Sequence, residues 1–223
     1  MTPLQLGLLL VWGTLVGVDL VSLPQIMISR PLVAGTVAGL LAGDPVSGVT
    51  VGATLELFAL EVLPVGAARY PDYGPASVAA AAAAAGGDVL RGVGLSVVVG
   101  LIVAYAGEYT ILELRRRNSQ VVRNRTVELA TGDPRVIRAV HLQGVLRDSV
   151  RALLLTAAGL LLAGLARGWP PLSPRAGSLL DAVVIGAGMS TAVAGTLRTA
   201  GPSIGLKWFA VGIAAGLALL VLR

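Results

Sequence analysis

Residues 30–72 read RPLVAGTVAGLLAGDPVSGVTVGATLELFALEVLPVGAARYPD, and this stretch decides what kind of chain it is. It is apolar enough for a bilayer, yet Asp44-Pro45 breaks it, glycines thread it, and a carboxylate, Glu56, sits inside its second apolar run. As a helix the first run, Pro31 to Gly43, reaches only about 20 Å, against a hydrocarbon core of roughly 30 Å. Pro31 suits a helix start, where its missing N–H is not needed, and Gly43-Asp44-Pro45 supplies a stop and a turn. The run therefore reads as a half-helix or re-entrant arm.

Glycines 35, 39 and 43, then 48 and 52, recur every four residues and so stack on one helical face in each run. In lipid, apolar burial gives helices no drive to associate, and close contact between small residues takes its place. Glu56 extends the Gly48–Gly52 stripe by one turn, which directs its carboxylate into the protein. An acid near mid-bilayer costs about 3 kcal/mol, so such residues usually line a pathway or have a partner. Two readings stay open: a site carboxylate beside broken backbone, which the glycine-packed setting favours, and an interfacial acid or one paired with an arginine for structure. Glu61, five positions on, falls on another face near the Pro64 end.

Outward from this stretch, 223 residues that are 55% hydrophobic and 13% charged, with mean hydropathy +0.83, describe an all-α polytopic membrane protein. About 6–7 apolar segments, including broken or re-entrant helices, are expected in one membrane-embedded domain covering 1–223. Leu4 to Ile28 is the first, interrupted by Asp19 and Pro24; it lacks a basic n-region and a cleavage site, so it is expected to be a retained helix. Tyr73-Gly74-Pro75 is expected as a turn before an alanine helix, Ala76 to Ala85, which Gly86-Gly87-Asp88 ends. Gly92 to Leu112, Val150 to Ala166, Gly177 to Thr199 and Ile204 to Leu222 follow.

Nine of the seventeen basic residues are arginines at 115, 116, 117, 123, 125, 135, 138, 147 and 151. The positive-inside rule makes residues 115–149 a cytoplasmic connection. A solvated charged face is the default reading of such a run, and a docking surface for a cytoplasmic partner is a weaker addition. The net charge of +5 does not indicate nucleic acid, because the arginines lack interleaved aromatics. The chain has no cysteine, hence no disulfide or thiol chemistry, and one histidine alone supplies no zinc cluster. No Walker-type loop and no Gly-x-Ser-x-Gly elbow occurs, so neither an enzyme nor a cofactor is expected. Gln25 carries an amide near the end of the first segment. It reads equally as a helix-end hydrogen bond and as a partner for a ligand hydroxyl.

In Arg30-Pro31-Leu32-Val33, Gly39, Gly43-Asp44, Gly48, Gly52-Ala53-Thr54-Leu55-Glu56-Leu57, Val65-Gly66-Ala67 and Pro71-Asp72, order and spacing resemble the IIC subunit of the mannose/fructose/sorbose class of the bacterial sugar phosphotransferase system. The resemblance implies a multi-pass inner-membrane permease subunit that binds and translocates a hexose-type sugar. It implies a hetero-oligomer with a IID membrane subunit, with phosphoryl transfer on soluble IIA and IIB. It places Asp72 and a polar residue near Gln25 beside the sugar, and carries Glu56 over as a substrate-binding residue. It also gives His141, which with Arg151 matches a family pattern, no phosphoryl role; His141 reads as an amphipathic or interface residue. Physically, acids and amides in a dry cavity suit a sugar, since unpaired polar groups there penalise the wrong ligand. Two alternatives come from other classes: a non-transporting scaffold or regulator derived from the family, suggested by the short C-terminal half, and an unrelated permease.

The absence of native cysteine makes the topology directly testable. In Ser119→Cys, the thiol is expected to resist an impermeant reagent in intact cells and to react after the membrane is permeabilised. Labelling from outside would reverse the orientation.

Overall fold

A computed structural model describes residues 1–62, 68–86, 92–170 and 172–200, with isolated residues at 207, 210–212 and 214. The Val65-Gly66-Ala67 turn and most of the Ile204–Leu222 segment lie outside the described residues. Those described form helices without strands: α1 (Pro3–Asp19), α2 (Pro31–Ala42), α3 (Pro45–Ala59), α4 (Tyr73–Ala84), α5 (Gly92–Asn124), α6 (Thr126–Ala130), α7 (Pro134–Gly168) and α8 (Pro174–Ala200). Among the described residues, α5, α7 and α8 are long and apolar enough to cross a membrane; α1, α2 and α3 are shorter apolar helices.

Local chemistry sets the breaks. Pro31 begins α2, and Gly43 ends it at φ +84°, a left-handed position that glycine adopts without a Cβ clash. Asp44 then caps α3, its carboxylate accepting from the Ser47 N–H at 3.1 Å, with Pro45 in the first turn. The result is a tight antiparallel pair of half-length helices, as the broken apolar run implies.

The glycine stripe is where these two helices meet, backbone against backbone. A Cβ on Gly39 would lie 2.6 Å from the Gly48 Cα, and one on Gly35 2.9 Å from the Gly52 Cα. The same small-residue packing closes the rest of the bundle. Helix α4 is almost wholly buried, Ala76 and Ala79 to Ala81 being fully so, because alanines let α2, α5 and α7 close around it. A Cβ on Gly100 of α5 or on Gly159 of α7 would come within 3.0 Å of Ala80 or 2.8 Å of Ala79 respectively. Gly13 and Gly17 of α1 face Thr156 and Ala152 of α7 in the same way.

Three expected boundaries differ. The first apolar segment, Leu4 to Ile28, is helical only to Asp19, and residues 20–30 are irregular, as the interruptions at Asp19 and Pro24 allow. Gly74 and Pro75 belong to the first turn of α4, where proline's missing N–H is harmless, with Asp72 at the N-cap position. The arginine-rich connection is not a loop but a helical hairpin: α5 runs on past its apolar part to Asn124, and α7 begins at Pro134. Residues 113–124 contain no glycine or proline, and Glu113 pairs with Arg117 one turn on at 2.7 Å, so nothing stops the helix. After Asn124 the five-residue α6 follows, Gly132 at φ +70° turns the chain, and Asp133 caps α7.

Gly39→Leu or Gly52→Leu is expected to lower the melting temperature and folded yield sharply, since the displaced atoms are backbone and cannot yield as a side chain would. Gly164→Leu, with open space around its Cβ position, is the control and should leave both unchanged. Equal melting of all three variants and the parent would remove the stripe from the account.

Candidate functional site

Where α1 ends and α2 begins, the chain forms an irregular loop, 20–30, folded around one acid. Asp19, 2% exposed, accepts from the Ile26 N–H at 2.8 Å and the Ser29 N–H at 3.0 Å. Within this loop Gln25 (φ 59°) and Met27 (φ 68°) hold left-handed backbone, a conformation that costs a side-chain-bearing residue about 1 kcal/mol or more and that its surroundings must enforce. Asp19 supplies that enforcement from behind.

The loop forms one wall of a cleft of about 400 Å³. Asp19, Gln25, Ser29 and Arg30 give it polar groups; Ala59 ends α3, Val62 follows shortly after it, and Tyr70, Pro71 and Tyr73 form a further wall. The Tyr70 wall is fixed by Arg115 of α5, whose guanidinium donates to the Ala68 carbonyl and the Tyr70 hydroxyl, both at 2.9 Å, and stacks 5.1 Å from the Tyr70 ring centroid.

The three residues nominated by the sequence take different places. Gln25 lines the cleft; its amide nitrogen donates to the Val21 carbonyl at 3.1 Å, which leaves the amide oxygen without a partner among the described residues. Glu56 does not line the cleft. It is half-buried, ion-paired with Arg30 and accepting from the Leu32 N–H at 3.1 Å, one of the otherwise unpartnered donors at the start of α2. Its carboxylate thus joins α3 to the N-terminus of α2 and holds Arg30, which does line the cleft. Here the arginine pairing left open by the sequence is the one observed.

Asp72 is fully buried and also off the cleft surface, but both its neighbours, Pro71 and Tyr73, line it. Its N–H donates to the Ala104 carbonyl at 2.9 Å, and one carboxylate oxygen accepts from Arg151 Nη1 at 2.7 Å. Arg151 of α7 is the hub of the region. Its Nε donates to Asp148 at 2.8 Å, Nη1 also to Thr110 of α5 at 3.2 Å, and Nη2 to the Gly17 carbonyl of α1 at 2.9 Å. Asp148 in turn accepts from the Ser22 hydroxyl of the cleft loop at 2.5 Å. Both cleft walls are thereby tied to one guanidinium.

Asp19, Arg30, Arg115 and the Asp148–Arg151 pair were not nominated from sequence. One signal was available: ionisable residues inside apolar segments need partners, and Asp148 and Arg151 lie three apart on one helix face. His141 is exposed on α7, away from the cleft. Among the described residues no three His, Cys, Asp or Glu side chains converge on a metal position.

Removing one partner from a buried ion network leaves charge uncompensated, typically at about 3–5 kcal/mol. Arg151→Ala is expected to lose most folded protein in detergent. The triple variant Arg151→Ala, Asp72→Asn, Asp148→Asn should recover part of the melting temperature, since no unpaired charge remains. A triple variant no more stable than the single one would refute this electrostatic account.

Compared with known proteins, residues 3–167 match the family described as PTS system sorbose-specific IIC component. The chain is 32% identical over 162 residues to a sorbose-specific EIIC component of Klebsiella pneumoniae, covering 70% of this chain and 59% of the relative. It is 31% identical over 156 residues to the fructose permease IIC component of Bacillus subtilis, covering 70% and 57%. A mannose-specific EIIC component of Escherichia coli is 32% identical over 103 residues, covering 46% and 38%. The matched stretch thus spans about half the length of these relatives. Among solved structures, one described only as a membrane protein superposes with TM-score 0.72 at 20% identity, covering 100% of this chain and 92% of that one. The mannose transporter ManYZ, solved in complex with a microcin, gives TM-score 0.64 at 20% identity, covering 96% and 87%. At such identity the likeness is one of fold.

Proposed function

Since the chain belongs to the sorbose-specific IIC family of phosphotransferase-system components, we propose that it is a bacterial inner-membrane subunit that binds a hexose-type sugar in the cleft and passes it toward the cytoplasm. A soluble IIB subunit phosphorylates the sugar there, and a IID subunit completes the membrane complex. The observation that carries this reading is the cleft itself. Polar side chains of Asp19, Gln25, Ser29 and Arg30 and the tyrosines Tyr70 and Tyr73 gather where two broken helices meet, inside an otherwise apolar bundle.

The chemistry fits a neutral polyol. Gln25 offers an amide oxygen, Arg30 offers N–H donors, and Tyr70 and Tyr73 offer hydroxyls and ring faces. No nucleophile or general base is required, because the phosphoryl group would arrive on another protein. Gln25 is the direct sugar partner among the three nominated residues. Glu56 acts through Arg30, and Asp72 acts through Arg151 and the Tyr70–Tyr73 wall.

Two measurements test this. Cells expressing the chain with IID and the soluble subunits should accumulate radiolabelled sugar, and cells with the chain alone should not; uptake by the chain alone would favour an independent permease. On purified complex, Glu56→Gln keeps shape and one acceptor but releases Arg30, and hydrogen bonds to charged groups contribute about 1.5–3 kcal/mol. Sugar affinity by calorimetry should therefore fall roughly ten- to a hundredfold with the fold intact. Equal affinity in parent and variant would remove the Glu56–Arg30 pair from the site.

A further inference from the structure

We propose that Ser29 is a direct sugar contact beside Gln25 and sets which hydroxyl pattern the cleft accepts, with Asp19 as the positioning residue that holds both in place; this rests on the sugar reading above. Three features of loop 20–30 carry it: an acid set against its own helix, two backbone amides aimed at that acid, and a hydroxyl left open.

Asp19 is the last residue of α1, where the partial negative charge of a helix end disfavours an anion, and it is 2% exposed. Among the described residues no cation pairs with it. The backbone of the loop meets its charge instead: Oδ1 accepts from the Ile26 N–H and Oδ2 from the Ser29 N–H. Hydrogen bonds to an ionised acceptor are about twice as strong as neutral ones, so both amides are fixed relative to α1. Gln25 lies one peptide before the first amide, and Ser29 carries the second. Both side chains therefore leave a backbone that Asp19 holds.

The Ser29 hydroxyl is the group left over. Hydroxyls on the helices satisfy themselves on the carbonyl four residues back, as Thr36, Thr50 and Ser149 do. Ser29 lies outside any helix, and among the described residues its Oγ makes no hydrogen bond. It is not sealed in the protein either: the enclosed side-chain oxygens without a partner among the described residues are Asp72 Oδ1 and Thr156 Oγ1. Ser29 is only 8% exposed and lines the cleft, so an oxygen that is neither bonded nor sealed opens into that cleft.

The two side chains differ in what they offer. The Gln25 amide nitrogen is committed to the Val21 carbonyl, which leaves an oxygen that can only accept. A serine hydroxyl donates and accepts. Together they match neighbouring sugar hydroxyls, and a sugar lacking the one that meets Ser29 would leave a polar group unpaired in a largely dry site. That penalty is how such sites discriminate.

The experiment is calorimetry on the full-length chain co-purified with its membrane partner, using D-mannose, D-fructose and L-sorbose, then the monodeoxy analogues of whichever binds. Ser29→Ala is expected to bind the intact sugar roughly three- to tenfold more weakly. It should melt like the parent, because its hydroxyl has no partner inside the protein. One deoxy analogue, penalised by the parent, should bind Ser29→Ala as tightly as the intact sugar does, while the other analogues keep their penalties. Asp19→Asn should weaken binding roughly ten- to a hundredfold, and its cost should shrink when Ser29→Ala is already present, since part of it acts through that side chain. Unchanged affinity in Ser29→Ala, or a uniform loss across all analogues, overturns the contact. Fully additive losses, or an Asp19→Asn chain that does not fold, overturn the positioning role. A parent that binds none of the three sugars sinks the sugar cleft and this proposal with it; a parent that binds one, with Ser29→Ala unaffected, sinks the proposal alone.

Discussion

A guanidinium buried among apolar helices has to be satisfied on every side, and Arg151 shows how that requirement organises the molecule. An unpaired charge in such a place would cost several kcal/mol, so the surrounding backbone must bring acceptors to it. The last turn of α1 offers the Gly17 carbonyl, the segment before α4 offers Asp72, α5 offers Thr110, and α7 offers Asp148. Four separate segments are thereby drawn to one point, and Ser22 of the cleft loop is drawn in through Asp148. The hydrophobic effect supplies little orientation inside lipid; a directional charge does.

Such convergence needs helices that approach closely, and the composition provides it. Gly13 and Gly17 let α1 lie against Thr156 and Ala152, so that the Gly17 carbonyl is within reach of Arg151. Gly107 of α5 lies so close to Asp72 that a Cβ there would be 2.5 Å from the Asp72 Cβ. Small residues and buried charge are therefore one device: the first permits the distance that the second requires. The glycine-faced pair α2 and α3 uses the same permission elsewhere, with Glu56 closing its open end on Arg30 and the Leu32 N–H.

The parts legible in the sequence were those governed by local rules. Proline, glycine and aspartate at 31 and 43–45 fix the break between α2 and α3, and the four-residue glycine spacing fixes which faces meet. Gln25 was recognisable as a polar residue at a disrupted segment end. Less legible were facts that depend on which segments become neighbours. Glu56 lies on the expected face, yet whether it meets a ligand or Arg30 depends on the fold of loop 20–30. Asp72 was marked by resemblance, but its burial against Arg151 reflects a contact seventy-nine residues apart in the chain. The charge of the arginine-rich connection indicates a solvated cytoplasmic segment but not its conformation; helix formers without a breaker make it helical, since solvated helices are as compatible with charge as loops are.

The cleft and the arginine-bearing hairpin are built on the same two helices. On α5, Arg115 at the membrane end of the polar stretch holds the Tyr70 wall, while Arg116 and Arg123 continue outward along the same helix. On α7, Arg135 and Arg138 lie on the uninterrupted helix that carries Asp148 and Arg151 inward. The Asn118–Arg147 bond couples the two helices between these levels. The residues that hold both cleft walls and those of the exposed hairpin therefore share two continuous helices. Arg115 and Arg151 each grip a wall of the cleft through a charge-assisted or cation–π contact instead of through packing alone.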